Sequence, residues 1–398
     1  MPDQLDSRLR AERDRLDIEQ PPLSVIAARA DALRRRRLAA RAGVAALAAL
    51  AMTGVAVAAL RDDRTAPPVV AASPTDPARA WTTEGITIDG LPQLPQDLPG
   101  TVRDAEFLDA DRGFLVTADC CTAWVSATTD GGRTWHTSLS PVAGVPSLVA
   151  AADAVTLIGT GPDHPRATSS DGEHWTSGGS AAPAPAPLIG GSRLVPLDSP
   201  GCGSRTAAVT GAELSLVQQQ PPITACWWSP VRAGDGSWWV GGRDAQGRPA
   251  LAVTRDGGAS WQVSSFPGFP ATAYARAAML GHAVYATVVQ PEPDADRLLA
   301  VASSDNGGAT FAAAHPTAGQ ATIGGDLVPL VDGRLLIVNG YGDWLLSLDS
   351  GVSWHHLEGL HKTMRLARTE AGYVAYEMAT IYTAFSADGS TWQKLNAQ

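Results

Sequence analysis

Six aspartates recur along the chain, each shortly after a hydroxyl residue and shortly before an aromatic one: Asp130 with Trp135, Asp171 with Trp175, Asp256 with Trp261, Asp305 with Phe311, Asp349 with Trp354 and Asp388 with Trp392. A carboxylate that returns in one context could be a catalytic acid or the cap of a turn. The neighbours favour the turn. An Asp carboxyl accepts hydrogen bonds from backbone N–H groups two residues on, the following Gly supplies a positive φ, and the Trp or Phe brings a large apolar face to bury. Thr128-Thr129-Asp130-Gly131-Gly132-Arg133-Thr134-Trp135 is the fullest copy.

Other residues offer chemistry with less pattern. Asp163, Asp244, Glu292, Asp294, Asp296 and Asp343 could supply a carboxylate pair for glycoside hydrolysis. Tyr376-Glu377 is a tyrosine–glutamate pair, and Asp109-x-Asp111 is too short a match for a calcium loop. The four cysteines, Cys120, Cys121, Cys202 and Cys226, come without CxxC spacing or clustered histidines, so disulfides are expected rather than a metal, and no cofactor is implied.

The elements that must position these residues follow from spacing. The aspartates are 41, 85, 49, 44 and 39 residues apart. The double interval marks a lost copy between residues 188 and 219, where strands are expected over 206–217 around a turn, Thr210-Gly211-Ala212-Glu213, that lacks the Asp. Self-similarity at this period is the mark of a propeller or solenoid. Four short strands fit each interval, as in 103–109, 113–119, 123–129 and 135–139. The expected fold is all-β: a seven-bladed β-propeller of four-stranded blades over 101–398. Residues 81–99 either add an outer strand or pack on the ring.

Composition sets the frame. The chain has 398 residues, 18% of them charged, with twelve Trp against six Phe and six Tyr. Residues 1–61 carry a net charge of +4 and the rest −14, with Lys362 and Lys394 the only lysines. An acidic body argues against nucleic acid as a partner.

Residues 1–41 form a charged tail, and 42–60 hold no charge between Arg41 and Arg61. At about 1.5 Å per residue such a run nearly spans a membrane core of about 30 Å. The arginines before it and Asp62-Asp63 after it place the tail in the cytoplasm and the body outside. The rival is a secretory signal cleaved after Ala58, for which a charged region of about forty residues is long. Residues 61–100, with Pro67, Pro68, Pro74 and Pro77, read as a linker and lead-in to the propeller.

The recurring motif resembles the Asp-box, or BNR repeat, of sialidases, some glycoside hydrolases, sortilin-type receptors and photosystem-assembly factors. The run 102–114 before the first copy is similar to strand patterns of the assembly-factor branch. The resemblance implies a ligand site on the face away from the boxes, among the turns between second and third strands. That singles out Asp163, His164, Arg166, Arg243, Asp244, Arg248, Glu292, Asp294, Tyr341, Asp343 and Trp344. An Arg-Ile-Pro signature of sialidases is missing: Val102-Arg103-Asp104 and Asp111-Arg112-Gly113 do not match it.

All four cysteines fall on the outer side of the membrane in this topology, where disulfides persist. Of three possible pairings, Cys202–Cys226 is preferred because it joins neighbouring units, leaving Cys120 and Cys121 as a vicinal disulfide or two thiols. Trp227-Trp228 and Trp238-Trp239 alternate faces on a strand, so one of each pair is expected inside. The leading expectation is a membrane-anchored extracytoplasmic module that binds a protein or glycan, with an exo-sialidase-type hydrolase as the alternative.

Overall fold

The computed structural model describes residues 81–89 and 97–395, apart from 121, 152, 161–162, 179–183, 190, 198–201, 227–230, 294, 320 and 377–382. The charged tail, the apolar run 42–60 and most of the linker therefore lie outside the described residues, as do Cys121, Asp294, Trp227-Trp228 and Glu377. Among the described residues no helix is long and apolar enough to cross a membrane.

The described strands form seven sheets, taken here as blades 1 to 7 in chain order. Blade 1 is the plainest: Thr101–Phe107, Gly113–Ala118, Ala123–Thr128 and His136–Leu139 pair as a four-stranded antiparallel meander. The second and third of these are almost wholly buried and the fourth is exposed, as expected when both faces of a sheet are covered and only its outer edge meets water. Among the described residues the hydrophobic core is not one cluster but seven. Each buried cluster straddles one junction between successive blades, from Phe114, Val125 and Leu157 between blades 1 and 2 to Trp344, Leu366 and Trp392 between blades 6 and 7.

Ring closure brings blade 7 against blade 1. Phe107 and Phe385 stack with ring centroids 4.3 Å apart, and Gln393 Nε2 donates to Gly131 O at 2.8 Å. The lead-in settles on the outer-strand option. Trp81–Thr83 and Ile86–Asp89 form a hairpin whose second strand pairs in parallel with Thr391–Lys394 of blade 7. Ile86 and Ile88 enter the core between blades 6 and 7.

The recurring turn joins third and fourth strands, and its hydrogen bonds explain its composition. Thr128 Oγ1 accepts Gly132 N–H at 2.9 Å and donates to Asp130 Oδ1, which in turn accepts the Arg133 and Thr134 N–H groups. Thr254–Asp256–Gly258 and Ser347–Asp349–Gly351 repeat the pattern. The copies at Ser169 and Ser386 are one residue shorter, and the Trp175 and Trp392 indoles donate back to the turn glycines' carbonyls.

Blade 5 corrects the sequence register by one residue. Ser304, not Ser303, accepts Gly308 N–H, and Asn306, not Asp305, takes the acceptor place. Its amide nitrogen donates to Thr310 Oγ1, where the carboxylates of Asp130, Asp256 and Asp349 accept from a hydroxyl. Pairing decides the register: Ser304 lies opposite Val284 on the neighbouring strand, and counting seven residues on from it reaches Phe311.

Blade 3 departs from the rest. Arg193–Pro196, Thr206–Thr210 and Glu213–Val217 are antiparallel neighbours, and Pro185–Ala186 adds a parallel outer strand. Arg193 starts the channel-side strand close to Glu106, near the end of blade 1's inner strand. The loop after Pro196 carries Cys202 to a disulfide with Cys226, near the start of blade 4's inner strand. The channel-side strand therefore runs opposite to the inner strands around it, and the chain takes the second, third and fourth places of a blade.

Candidate functional site

The loops nominated by sequence keep their charges to themselves. Asp244 is buried, accepting from Gln246 N, Arg248 N, the Arg248 guanidinium and Ser265 Oγ. Burial pushes its carboxyl up, but those hydrogen bonds outweigh it and bring it to about 2. Asp343 pairs with Lys362 Nζ at 2.6 Å and with the Asn339 amide, which hold its carboxyl below the usual range. Arg243 donates to Ala271 O, Glu292 sits 3.7 Å from Arg297, and Arg166 is buried with its guanidinium on His164 O. Asp163 lies in the same loop as His164, whose φ is positive.

Two expectations are corrected by burial. Trp344 is 1% exposed, donates to His361 O and meets Trp392 edge-on, so it is core rather than a platform for a ligand. Trp238 and Trp239 are both buried. Their strand is the second of blade 4, and neighbouring blades cover both of its faces. Tyr341, in the loop that leads to Trp344, is exposed, 78% accessible.

A groove of about 510 Å³ opens instead at the mouth of the central channel, lined by Arg193 of blade 3, residues 232–236 of blade 4 and residues 368–370 of blade 7. Arg232 and Arg368 each close a first strand, and the lining turns follow them. In an antiparallel meander the first turn shares a side with the third. Contacts from Gly131 N to Asp111 O and from Gly307 N to His282 O bring those two turns together within blades 1 and 5. The groove is thus on the side of the recurring turns, and none of the ten described loop residues nominated by sequence lines it.

Its electrostatics are uneven. Arg193 donates to Glu370 and lies 3.8 Å from Glu106. Arg368 Nη1 donates to Met279 O, and the Arg232 guanidinium lies 5.9 Å from the Trp238 ring centroid. Neither of these two has a carboxylate within ion-pair distance among the described residues. Asp235 is held ionised by the Ser237 hydroxyl and N–H. Beneath the groove, burial pushes the Glu106 carboxyl up to about 8 against the pull of Arg193 and the Glu370 N–H. Burial likewise raises Asp104, despite the Leu148 N–H that it accepts and the nearby Arg365.

No family model matches the chain, and no curated protein matches it. Among solved structures it is similar to YCF48 bound to D1 peptide, at 16% identity over 76% of this chain and 92% of that one, with a TM-score of 0.45. It is similar to YCF48 from Cyanidioschyzon merolae at 16% identity over 70% and 93%, TM-score 0.44. A Trypanosoma rangeli sialidase gives 10% identity over 76% of this chain and 56% of that one, TM-score 0.36. Likeness at this level assigns no activity or ligand to the chain.

The groove was hidden from sequence reasoning because Arg193, Arg232 and Arg368 sit in no common motif. Two of them share a signal in placement: Arg232 and Arg368 end inner strands immediately before a turn, whereas Arg193 begins a strand.

Proposed function

We propose that the chain is a binding module without a reaction of its own, its propeller held outside the membrane by the apolar run 42–60. The groove at the channel mouth carries this reading. It presents three arginines in one concavity, two of them with guanidinium groups in no ion pair among the described residues. Two of the carboxylates nominated for hydrolysis, Asp244 and Asp343, are engaged within their own loops, and so is Asp235 in the groove. Asp244, Asp343 and Asp235 are lowered by their own loops, whereas a general acid must hold its proton at working pH. The ligand class that fits is a protein or a glycan.

One observation favours the hydrolase alternative. Glu106 keeps its proton near neutral pH close to the groove, as a general acid would, although it is only 6% exposed. A screen of fluorogenic glycosides, sialosides included, on the full chain purified from membranes separates the two. Turnover abolished by Glu106→Gln refutes the binding reading. N-terminal sequencing of the same material tests the anchor: a start at Ala59 refutes it.

A further inference from the structure

We propose that the channel-mouth groove binds a carboxylate-bearing stretch of an extended polypeptide, and that Glu370 occupies one of its arginines as a built-in competitor. The proposal rests on the binding reading above and names the ligand for that site.

The guanidinium group presents a planar fork of donors that matches a carboxylate two bonds at a time. Three such forks meet here from three blades, so their convergence exists only in the closed ring. Arg193 is the one already engaged. Its Glu370 partner hangs from the turn after Arg368, with 37% of its side chain exposed. The backbone of Glu370 is fixed separately, because its N–H donates to Glu106 Oε1 at 2.8 Å. The carboxylate can therefore leave Arg193 without unpinning the turn, and an incoming carboxylate can take its place. Arg232 and Arg368 are half-buried, and their guanidinium groups form no ion pair among the described residues. Arg368 spends Nη1 on Met279 O and its backbone N–H on Asp326, so each still offers donors of its fork to a carboxylate.

The shape selects a polypeptide over a sugar. Saccharides are bound with aromatic rings beneath them, and the described lining residues include none. On the blade 4 side the backbone is open at Gly234 and Gly236, where a Cβ would meet open space, with the ionised Asp235 between them. An extended chain can lie along such a strip. The charge of the body limits the ligand's size. Residues 62–398 carry −14, so a long polyanion is repelled at range, and recognition falls to a few carboxylates brought to contact.

The test is fluorescence anisotropy on the full chain with three labelled decapeptides: one Asp/Glu-rich with a free C-terminus, its C-terminally amidated form, and an Asn/Gln analogue. The acidic peptide should bind and the analogue should not. Equal binding of the amidated form assigns the contact to side chains, and its loss assigns it to the terminus. Arg232→Gln and Arg368→Gln should each weaken binding about tenfold or more, the effect of removing one charged pair. Glu370→Gln should tighten it several-fold.

Arg232→Lys keeps the charge without the fork and should fall between wild type and Arg232→Gln; a thermal midpoint within a few degrees of wild type shows that each variant is folded. Should a glutamine variant not fold, loss of binding between 50 mM and 500 mM salt carries the same expectation. No binding of the acidic peptide at 1 mM, or wild-type affinity in both Arg→Gln variants, overturns the groove. Unchanged or weaker binding in Glu370→Gln overturns the competitor. Failure of peptide binding without glycoside turnover leaves the binding-module reading standing, whereas turnover removes that reading itself.

Discussion

Arg193 of blade 3 donates to Glu370 of blade 7, 177 residues further along the chain, and the two residues face each other across the mouth of the channel. Beneath them Glu106 accepts the Glu370 N–H. One arginine thus stands against two carboxyl groups, and burial makes them unequal: Glu106 holds its proton to about pH 8.

That inequality makes stability depend on pH in a defined sense. Unfolded, Glu106 releases its proton near its ordinary 4.5; folded, it does so near 8. Between those values the folded state binds more protons, so stability falls as pH rises, by at most about 1.4 kcal/mol per pH unit from this group. Asp104, also raised, adds in the same direction. The thermal midpoint should fall between pH 6 and pH 8.5, and Glu106→Gln should reduce that slope. A variant with the slope of wild type would show that Glu106 is not the group responsible.

The register of blade 5 is open to a direct comparison. Asn306 Oδ1 accepts the Thr310 N–H and the Ser304 hydroxyl, while no such role falls to Asp305. Asn306→Ala should cost about 1–2 kcal/mol, the loss of side-chain acceptors from a turn, and Asp305→Ala less than about 0.5 kcal/mol, as for an ordinary surface change. Ser304→Ala leaves the buried Gly308 N–H without its acceptor and should cost about 1–3 kcal/mol. Urea unfolding of the three variants ranks them, and the reverse order for Asp305 and Asn306 would restore the register first expected.

These cases show what the sequence could disclose. The recurring turns were legible because their chemistry is local: hydroxyl, carboxyl, glycine and aromatic act within eight residues, and their spacing counts the blades. Ser303-Ser304-Asp305-Asn306 fits that template in two registers, and only pairing with the neighbouring strand separates them. Trp344 was nominated by its place in a turn on the face away from the boxes, yet its ring turns inward onto Trp392. The groove was illegible for a different reason. Arg193, Arg232 and Arg368 are brought together by ring closure and by the reversed strand of blade 3, neither of which leaves a pattern in adjacent residues.

Blade 3 lacks both the Asp of the recurring turn and a regular inner strand, and a covalent link stands at its junction with blade 4. Cys202 and Cys226 are 24 residues apart in sequence, and cross-linking a loop of that size stabilises by about 3 kcal/mol in the chain-entropy account. Cys202→Ser/Cys226→Ser should therefore lower stability by about 2–4 kcal/mol, measured by urea unfolding. Hydrogen exchange should quicken most at Thr206–Val217 and at 224–226. A uniform increase around the ring would mean that the link supports no particular junction.

Adjacent glycines in the blade 5 turn separate backbone strain from packing. Gly307 and Gly308 both have positive φ, 66° and 77°. A Cβ on Gly307 meets nothing within 4 Å, whereas one on Gly308 comes within 2.0 Å of the Trp239 ring of blade 4. Placing Ala at Gly307 should cost only the left-handed conformation, about 1–2 kcal/mol. At Gly308 the same change adds a collision with a buried ring that Phe311 holds edge-on, and overpacking of this kind costs about 1–3 kcal/mol more. Gly308→Ala should therefore unfold at clearly lower urea than Gly307→Ala, with a shift in Trp emission that Gly307→Ala does not share. Equal midpoints would mean that the turn can move off Trp239, and that the junction between blades 4 and 5 is looser than its packing indicates.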